Sequence, residues 1–170
     1  MPQGESGVRV YIDTALAWKE AGTAVPLVVV RIGDEAVVSS TRFWYLGYWP
    51  WLVAHPLHGS RSPDVGEIGY SWLTRSAIRT AANTEMKELM LTHAFEQWVV
   101  ECICFHPDLC NTHPRAALGG AGAKFEGVVR AHRMSADHTF RESARFSILA
   151  SEWPSVRQRL ENLARGQHSA

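Results

Sequence analysis

The chain is 170 residues long and 46% apolar, which suits one compact domain spanning residues 1–170 with a single core. Seventeen basic residues balance seventeen acidic ones, so no net field draws the chain to nucleic acid or to an anionic membrane, and neither is expected as a partner. The three cysteines all fall between Glu101 and Asn111, an odd number that argues for reduced thiols in a cytoplasmic protein rather than a disulfide framework. The polar opening residues lack the apolar stretch of a signal peptide, and no window is long and apolar enough to span a bilayer.

Over residues 8–21, Val8, Tyr11, Ile12, Ala15 and Leu16 recur three and four apart with Gly22 behind them, which predicts an amphipathic helix with a glycine cap. The β-branched run 25–32, the Gly33-Asp34 turn and the aromatic-rich run 36–48 predict an antiparallel hairpin. Residues 49–64 contain three prolines and read as a long loop, a kind of segment that often carries function. Strand character resumes over 65–73. Met86, Leu89, Met90, Ala94, Phe95 and Trp98 then mark one face of a helix that Asn83 or Thr84 is placed to cap.

Residues 99–105 read as a buried strand stopped by His106-Pro107, since proline cannot donate to a ladder. Strand, loop, helix and strand in that order make a βαβ unit, whose two strands must run parallel and whose ligands sit at their carboxyl ends. Pro114 to Leu118 can form a short helix that Gly119-Gly120 would end. Residues 123–134 and 139–149 flank a turn at 135–138 and predict a second hairpin. Val156, Leu160 and Leu163 line a closing helix over 152–164.

The loop of small residues that opens the long helix points several free N–H groups and the positive end of the helix dipole at one spot, which suits a diphosphate. Four strings accompany it in order: Glu-Ile-Gly-Tyr-Ser-Trp-Leu from Glu67, Arg-Thr-Ala-Ala-Asn-Thr-Glu from Arg79, Glu-Gly-Val-Val-Arg from Glu126 and Phe-Ser-Ile-Leu-Ala-Ser-Glu-Trp-Pro from Phe146. Together they resemble the ribosomal-protein-type (RimJ/RimL-like) acetyltransferases of the Gcn5-related N-acetyltransferase (GNAT) superfamily, over a stretch from about Tyr11 to the C-terminus.

The resemblance implies an α+β fold: a mixed, mostly antiparallel sheet with one splayed parallel strand pair and helices on both faces. The family's opening strand and helix have no counterpart before Tyr11. It implies acetyl transfer from acetyl-CoA to a primary amine, a peptide N-terminus or a small molecule, by direct attack through a tetrahedral intermediate. The backbone of Arg79, Thr80, Ala81, Ala82, Asn83 and Thr84 would cradle the CoA diphosphate. Tyr70, Ser71, Trp72 and Leu73 would line the pantetheine arm, with Asn111 and Arg115 on its other side. Glu67 is the expected general base, and a backbone N–H near Ser71 or Trp72 the expected oxyanion donor.

Trp49 and Trp51, in the loop, are candidates for the acceptor pocket, whereas Phe43 and Tyr45 fit hairpin core. Lone loop histidines such as His55 and His58 read as surface residues. Cys102, Cys104 and His106 alternate on one strand face with Cys110 and His113 following, but the spacing is not that of a zinc finger or ribbon, and no metal is expected. Three positions depart from the family pattern: Ile78 and Ala81 in the phosphate loop, and Pro114 in the following helix. They motivate a second reading, a noncatalytic acyl-CoA-binding or interaction module. With the opening strand absent, the 25–32 strand would keep an unpaired edge, which predicts a homodimer.

Overall fold

The computed structural model describes residues 4–135 and 138–168. Helix α1 (Gly4–Glu20) is followed by Gly22, whose φ of +70° a residue with a Cβ rarely adopts. Strands β1 (Ala24–Val30) and β2 (Val37–Gly47) form the first hairpin, and β3 (Val65–Leu73) follows the long loop. Helix α2 (Ala82–Thr92), β4 (Cys102–Phe105), α3 (Thr112–Ala121), the hairpin β5 (Lys124–Met134) and β6 (Phe140–Leu149), and α4 (Trp153–His168) complete the chain. The strands lie in the order β1-β2-β3-β4-β6-β5. Only β3 and β4 run parallel, as the βαβ order requires, and every other neighbour is antiparallel. The expected α+β architecture is therefore the observed one.

Successive strand residues face opposite ways, and Phe43 and Trp44 of β2 show what covers each face. Phe43 sits 4.7 Å from Trp98 and belongs to the buried core with Met86, Met90 and Leu91 of α2, Ile103, Ile148, and Val156 and Leu160 of α4. Trp44 instead stacks on Trp18 of α1, with ring centroids 6.0 Å apart. Helices thus cover both faces, but the apolar mass lies on the α2/α4 side. The opposite face carries Arg42, Glu67, Cys104 and Arg145, and it is here that charged groups meet.

The predicted boundaries move at several places: α1 begins at Gly4 rather than residue 8, and β1 ends at Val30 rather than residue 32. After α2 the helix continues through His93–Trp98 as a π-helical turn and exits through Val99 at φ 59°. Residues 99–101 are therefore turn rather than strand: Val100 N–H bonds to Ala94 O and Glu101 N–H to Asp64 O, so those groups are spent before the ladder starts. Helix α3 runs through Gly119 and Gly120 and stops only at Gly122, at φ 101°, where a Cβ would meet Val156 Cγ2 at 3.2 Å. Neither Asn83 nor Thr84 is the N-cap of α2; that place belongs to Ala81, with no side-chain capping bond, and Asn83 Oδ1 accepts from Lys87 Nζ at 2.6 Å. Finally, α4 extends past the predicted 164 to His168. Part of the predicted 135–138 turn, residues 136–137, lies outside the described residues.

Candidate active site

The parallel ladder is short. Val65, Gly66 and Glu67 of β3 pair with Cys102, Ile103 and Cys104 of β4, and there the pairing ends although β3 continues to Leu73. Two local causes open this fork. On the β2 side, Arg42 pairs with Gly69 and Ser40 with Trp72, so Thr41 faces two residues, Tyr70 and Ser71. Such a bulge bends its strand, and Tyr70 takes the left-handed φ of 53° that it requires. On the other side β4 stops at Phe105, before a proline without an N–H.

Tyr70, Ser71, Trp72 and Leu73 occupy the stretch of β3 that has left β4. Ser71 Oγ lies 2.7 Å from Thr41 Oγ1, Trp72 O accepts from Ser39 Oγ at 2.5 Å, and Trp72 Nε1 is buried with no partner among the described residues. Across the fork, Asn111 is exposed at the N-cap of α3 with no side-chain capping bond. Arg115 donates from Nη1 to Leu109 O at 2.9 Å, and its buried Nε has no partner.

Glu67 stands at the crotch, only 3% exposed. Arg133 of β5 donates from Nη2 to both carboxylate oxygens at 2.8 Å, and His106 Nδ1 lies 2.9 Å from Oε2, off the direct hydrogen-bond line. Burial pushes the Glu67 carboxyl up, but His106 and Arg133 together outweigh it and hold the group below its ordinary value, so it is a carboxylate. The Arg133 guanidinium also lies 4.2 Å from the Trp44 ring centroid, and the His106 ring 4.6 Å from that of His132. Beside this cluster Arg42, 1% exposed, is held by the rings of Tyr70, Tyr11 and Trp18 at 4.4, 4.6 and 5.2 Å.

At the far end of β3, a single 3-10 turn (Arg75–Ala77) leads into the loop before α2. Arg79 sits at φ 65° and Ala81 at φ −64°, where alanine is unstrained. Thr80 Oγ1 donates to Ala77 O at 2.8 Å and accepts from Ala82 N–H at 3.3 Å. The helix start otherwise lacks a side-chain cap, so the first-turn N–H groups and the dipole face the loop. A cavity of about 780 Å3 opens beside it, with Thr80, Ala81 and Ala82 on one wall and Val29, Val38 and Thr41 on the other.

Trp49 and Trp51 lie at the opposite end of β3 from Arg79. Asp64, just before the strand, accepts from Trp49 N–H at 2.6 Å and from Trp51 Nε1 at 2.7 Å, and the two indoles stand 5.5 Å apart. Among the described residues no group of three or more His, Cys, Asp or Glu side chains is placed to hold a metal ion.

Sequence reasoning singled out Glu67 but not the groups that grip it. Arg133 comes from β5, far along the chain and outside the strings that mark the site. His106 entered only as a possible zinc ligand; its two-residue spacing from Cys104, on the face of Glu67, was the available signal.

A mixed sheet with one splayed parallel pair and helices on both faces defines an α+β architecture of the acetyltransferase type. No family model matches the chain, and no curated protein matches it in sequence. Solved structures do. An inferred acetyltransferase from T. thermophilus is 31% identical with a TM-score of 0.74, the match covering 94% of this chain and 74% of that one. A second acetyltransferase structure is 30% identical with the same TM-score and coverage. A Gcn5-related N-acetyltransferase from Brucella melitensis has a TM-score of 0.76 at 22% identity, covering 95% of this chain and 65% of that one. RimJ of Mycobacterium smegmatis, in complex with CoA-disulfide, has a TM-score of 0.72 at 21% identity, covering 95% and 69%. The chain belongs to the Gcn5-related N-acetyltransferase family.

Proposed function

We propose that the protein moves the acetyl group of acetyl-CoA to a primary amine by direct attack through a tetrahedral intermediate. The observation that carries this reading is the end of the β3–β4 ladder at Glu67 and Cys104. Beyond it, β3 runs on to Leu73 without a β4 partner, which leaves that side of residues 70–73 to pair with the amides of an extended pantetheine arm. The residues fit the cosubstrate at its other end too: the start of α2 at Ala81 has no side-chain cap bond, and Arg79 is exposed beside it. Asn111 and Arg115 stand on the α3 side of the arm. The CoA ligand of the M. smegmatis relative supports the same cosubstrate class.

Glu67 serves as proton acceptor together with His106. The carboxylate is fixed by Arg133 and the His106 imidazole lies beside it, so the proton leaving the amine passes to this pair. The oxyanion is held by a backbone N–H at the Tyr70–Trp72 bulge, near Ser71. Trp49 and Trp51 line the acceptor side. A structural relative from Vibrio cholerae, described as a ribosomal-protein-serine acetyltransferase, matches at a TM-score of 0.69 and favours a peptide N-terminus as acceptor. β1 is one of the two edge strands of the sheet, and pairing of a second copy along it is part of this reading. The free thiols fit a reducing compartment such as the cytoplasm.

The test is thiol release from acetyl-CoA over a panel of peptides and small amines, run beside a thermal shift with acetyl-CoA. Turnover with at least one amine, lost in the His106→Asn and Glu67→Gln variants, is expected. A thermal shift with no turnover across the panel would instead select the noncatalytic CoA-binding module.

A further inference from the structure

The polar face of β4 carries chemistry that acetyl transfer does not use. Cys102 and Cys104, two apart on this strand, turn their sulfurs to the same face, 3.8 Å from one another, and neither belongs to the core. Arg145 of β6 donates from Nη2 to Cys104 Sγ at 3.4 Å. Glu126 does not pair with the thiols: it accepts from Arg145 Nε at 2.6 Å and from Ser147 Oγ at 2.5 Å. Both cysteines remain partly open to solvent. This is a half-exposed setting with two donors on one sulfur, the Arg145 guanidinium and the Cys102 thiol, in which a thiolate is stabilised and reachable.

We propose that Cys104 and Cys102 form a redox-responsive dithiol, in which Cys104 attacks hydroperoxides and Cys102 resolves the product into a disulfide. The Cys104 thiolate attacks the distal oxygen of the peroxide, so an S–O bond forms as the O–O bond breaks, giving a sulfenic acid and an alkoxide or hydroxide that takes up a proton. The Cys102 sulfur then attacks the sulfenic sulfur, the S–O bond breaks, and water leaves with the Cys102 proton. Two thiols are oxidised and one peroxide is reduced.

The hydrogen bond from the Cys102 thiol, helped by Arg145 against the effect of burial, lowers the Cys104 thiol to about 7. Cys102, which holds the shared proton, is pushed up and stays protonated until it is attacked or attacks. The same pairing thus separates the two roles. Two residues along a strand place the Cα atoms about 6.6 Å apart, near the upper limit for a disulfide, so closing the bridge must pucker β4. On the β3 side the strand can give, because β4 is four residues long and its ladder with β3 ends at Cys104; on the other side all four residues pair with β6, so that ladder must bend with the bridge.

Reduced protein is treated with a small excess of hydrogen peroxide and its thiols are counted and mapped by mass. Wild type should fall from three free thiols to one, with Cys110 the survivor, a mass loss of about 2 Da and full recovery in dithiothreitol. C102S should stop at a sulfenic acid on Cys104 that dimedone traps. C104S should leave Cys102 reduced at the same dose. Without any variant, iodoacetamide should label Cys104 faster than the more exposed Cys110, with a midpoint near pH 7, and urea should abolish that preference. Faster oxidation of Cys110, a preference that survives unfolding, or a wild type that stops at the sulfenic acid would each overturn the proposal. None of these readouts involves acetyl transfer, so they stand apart from the proposed activity.

Discussion

Glu67 and Cys104 face one another as the last paired residues of the parallel β3–β4 ladder. One pair therefore marks where the sheet opens, and it brings together the site's buried carboxylate and the more acidic of two adjacent thiols. Its place follows from the β3 bulge at Tyr70 and from Pro107, which together deny the ladder its next rungs.

Glu67→Gln removes the anion that Arg133 and His106 share, leaving the partly buried Arg133 guanidinium without its counter-ion. A loss of about 3 kcal/mol in urea unfolding is expected. The folded carboxyl lies below its ordinary value of 4.5, so the unfolded chain binds the proton more readily, and the stability from this group is present above pH 4.5 and lost as pH falls through the folded value. Wild type should weaken over that acid range more steeply than the variant. Parallel pH profiles would contradict the assignment.

Arg79 occupies a left-handed φ of 65°, which costs a residue with a Cβ about 1 kcal/mol. Arg79→Gly should therefore hold or raise thermal stability by up to about 1 kcal/mol, even as losing the guanidinium weakens acetyl-CoA binding by about tenfold. Calorimetric titration reads the second effect. Unchanged affinity would place the diphosphate elsewhere.

A methyl group on Gly69 would sit 2.8 Å from Trp44 Nε1 and 3.3 Å from Glu67 Oε1. Gly69→Ala must shift the indole on which Arg133 rests, at a cost of about 2 kcal/mol. Acetyl transfer should fall several-fold while the thermal shift with acetyl-CoA persists. A variant with wild-type turnover would separate Trp44 and Arg133 from the chemistry.

Asp64 alone ties the Trp49 amide and the Trp51 indole to the start of β3. Asp64→Ala should cost about 2 kcal/mol by removing two charge-assisted bonds at a buried carboxylate. In steady-state kinetics the KM for the amine should rise with the KM for acetyl-CoA unmoved. A change in the second alone would take the tryptophans off the acceptor side.

The sequence determined the local grammar of this protein. Spacing of three and four marked α1, α2 and α4, alternating and β-branched runs marked the two hairpins and β3, and the strand–helix–strand order required the one parallel pair. These signals are short-range, so they survive in a string of letters. The four motifs carried the family for the same reason, each lying within one element or at its end. Boundaries that depend on distant partners were not legible: Val100 and Glu101 leave β4 because Ala94 and Asp64 hold their N–H groups, and α3 outlasts Gly119-Gly120 because Gly122, packed on Val156, ends it. Only the tertiary structure could decide what grips Glu67. Arg133 of β5, His106 just past β4 and the Trp44 ring of β2 meet only once the sheet has closed, and a carboxylate's charge and reach are set by such neighbours rather than by its place in the chain.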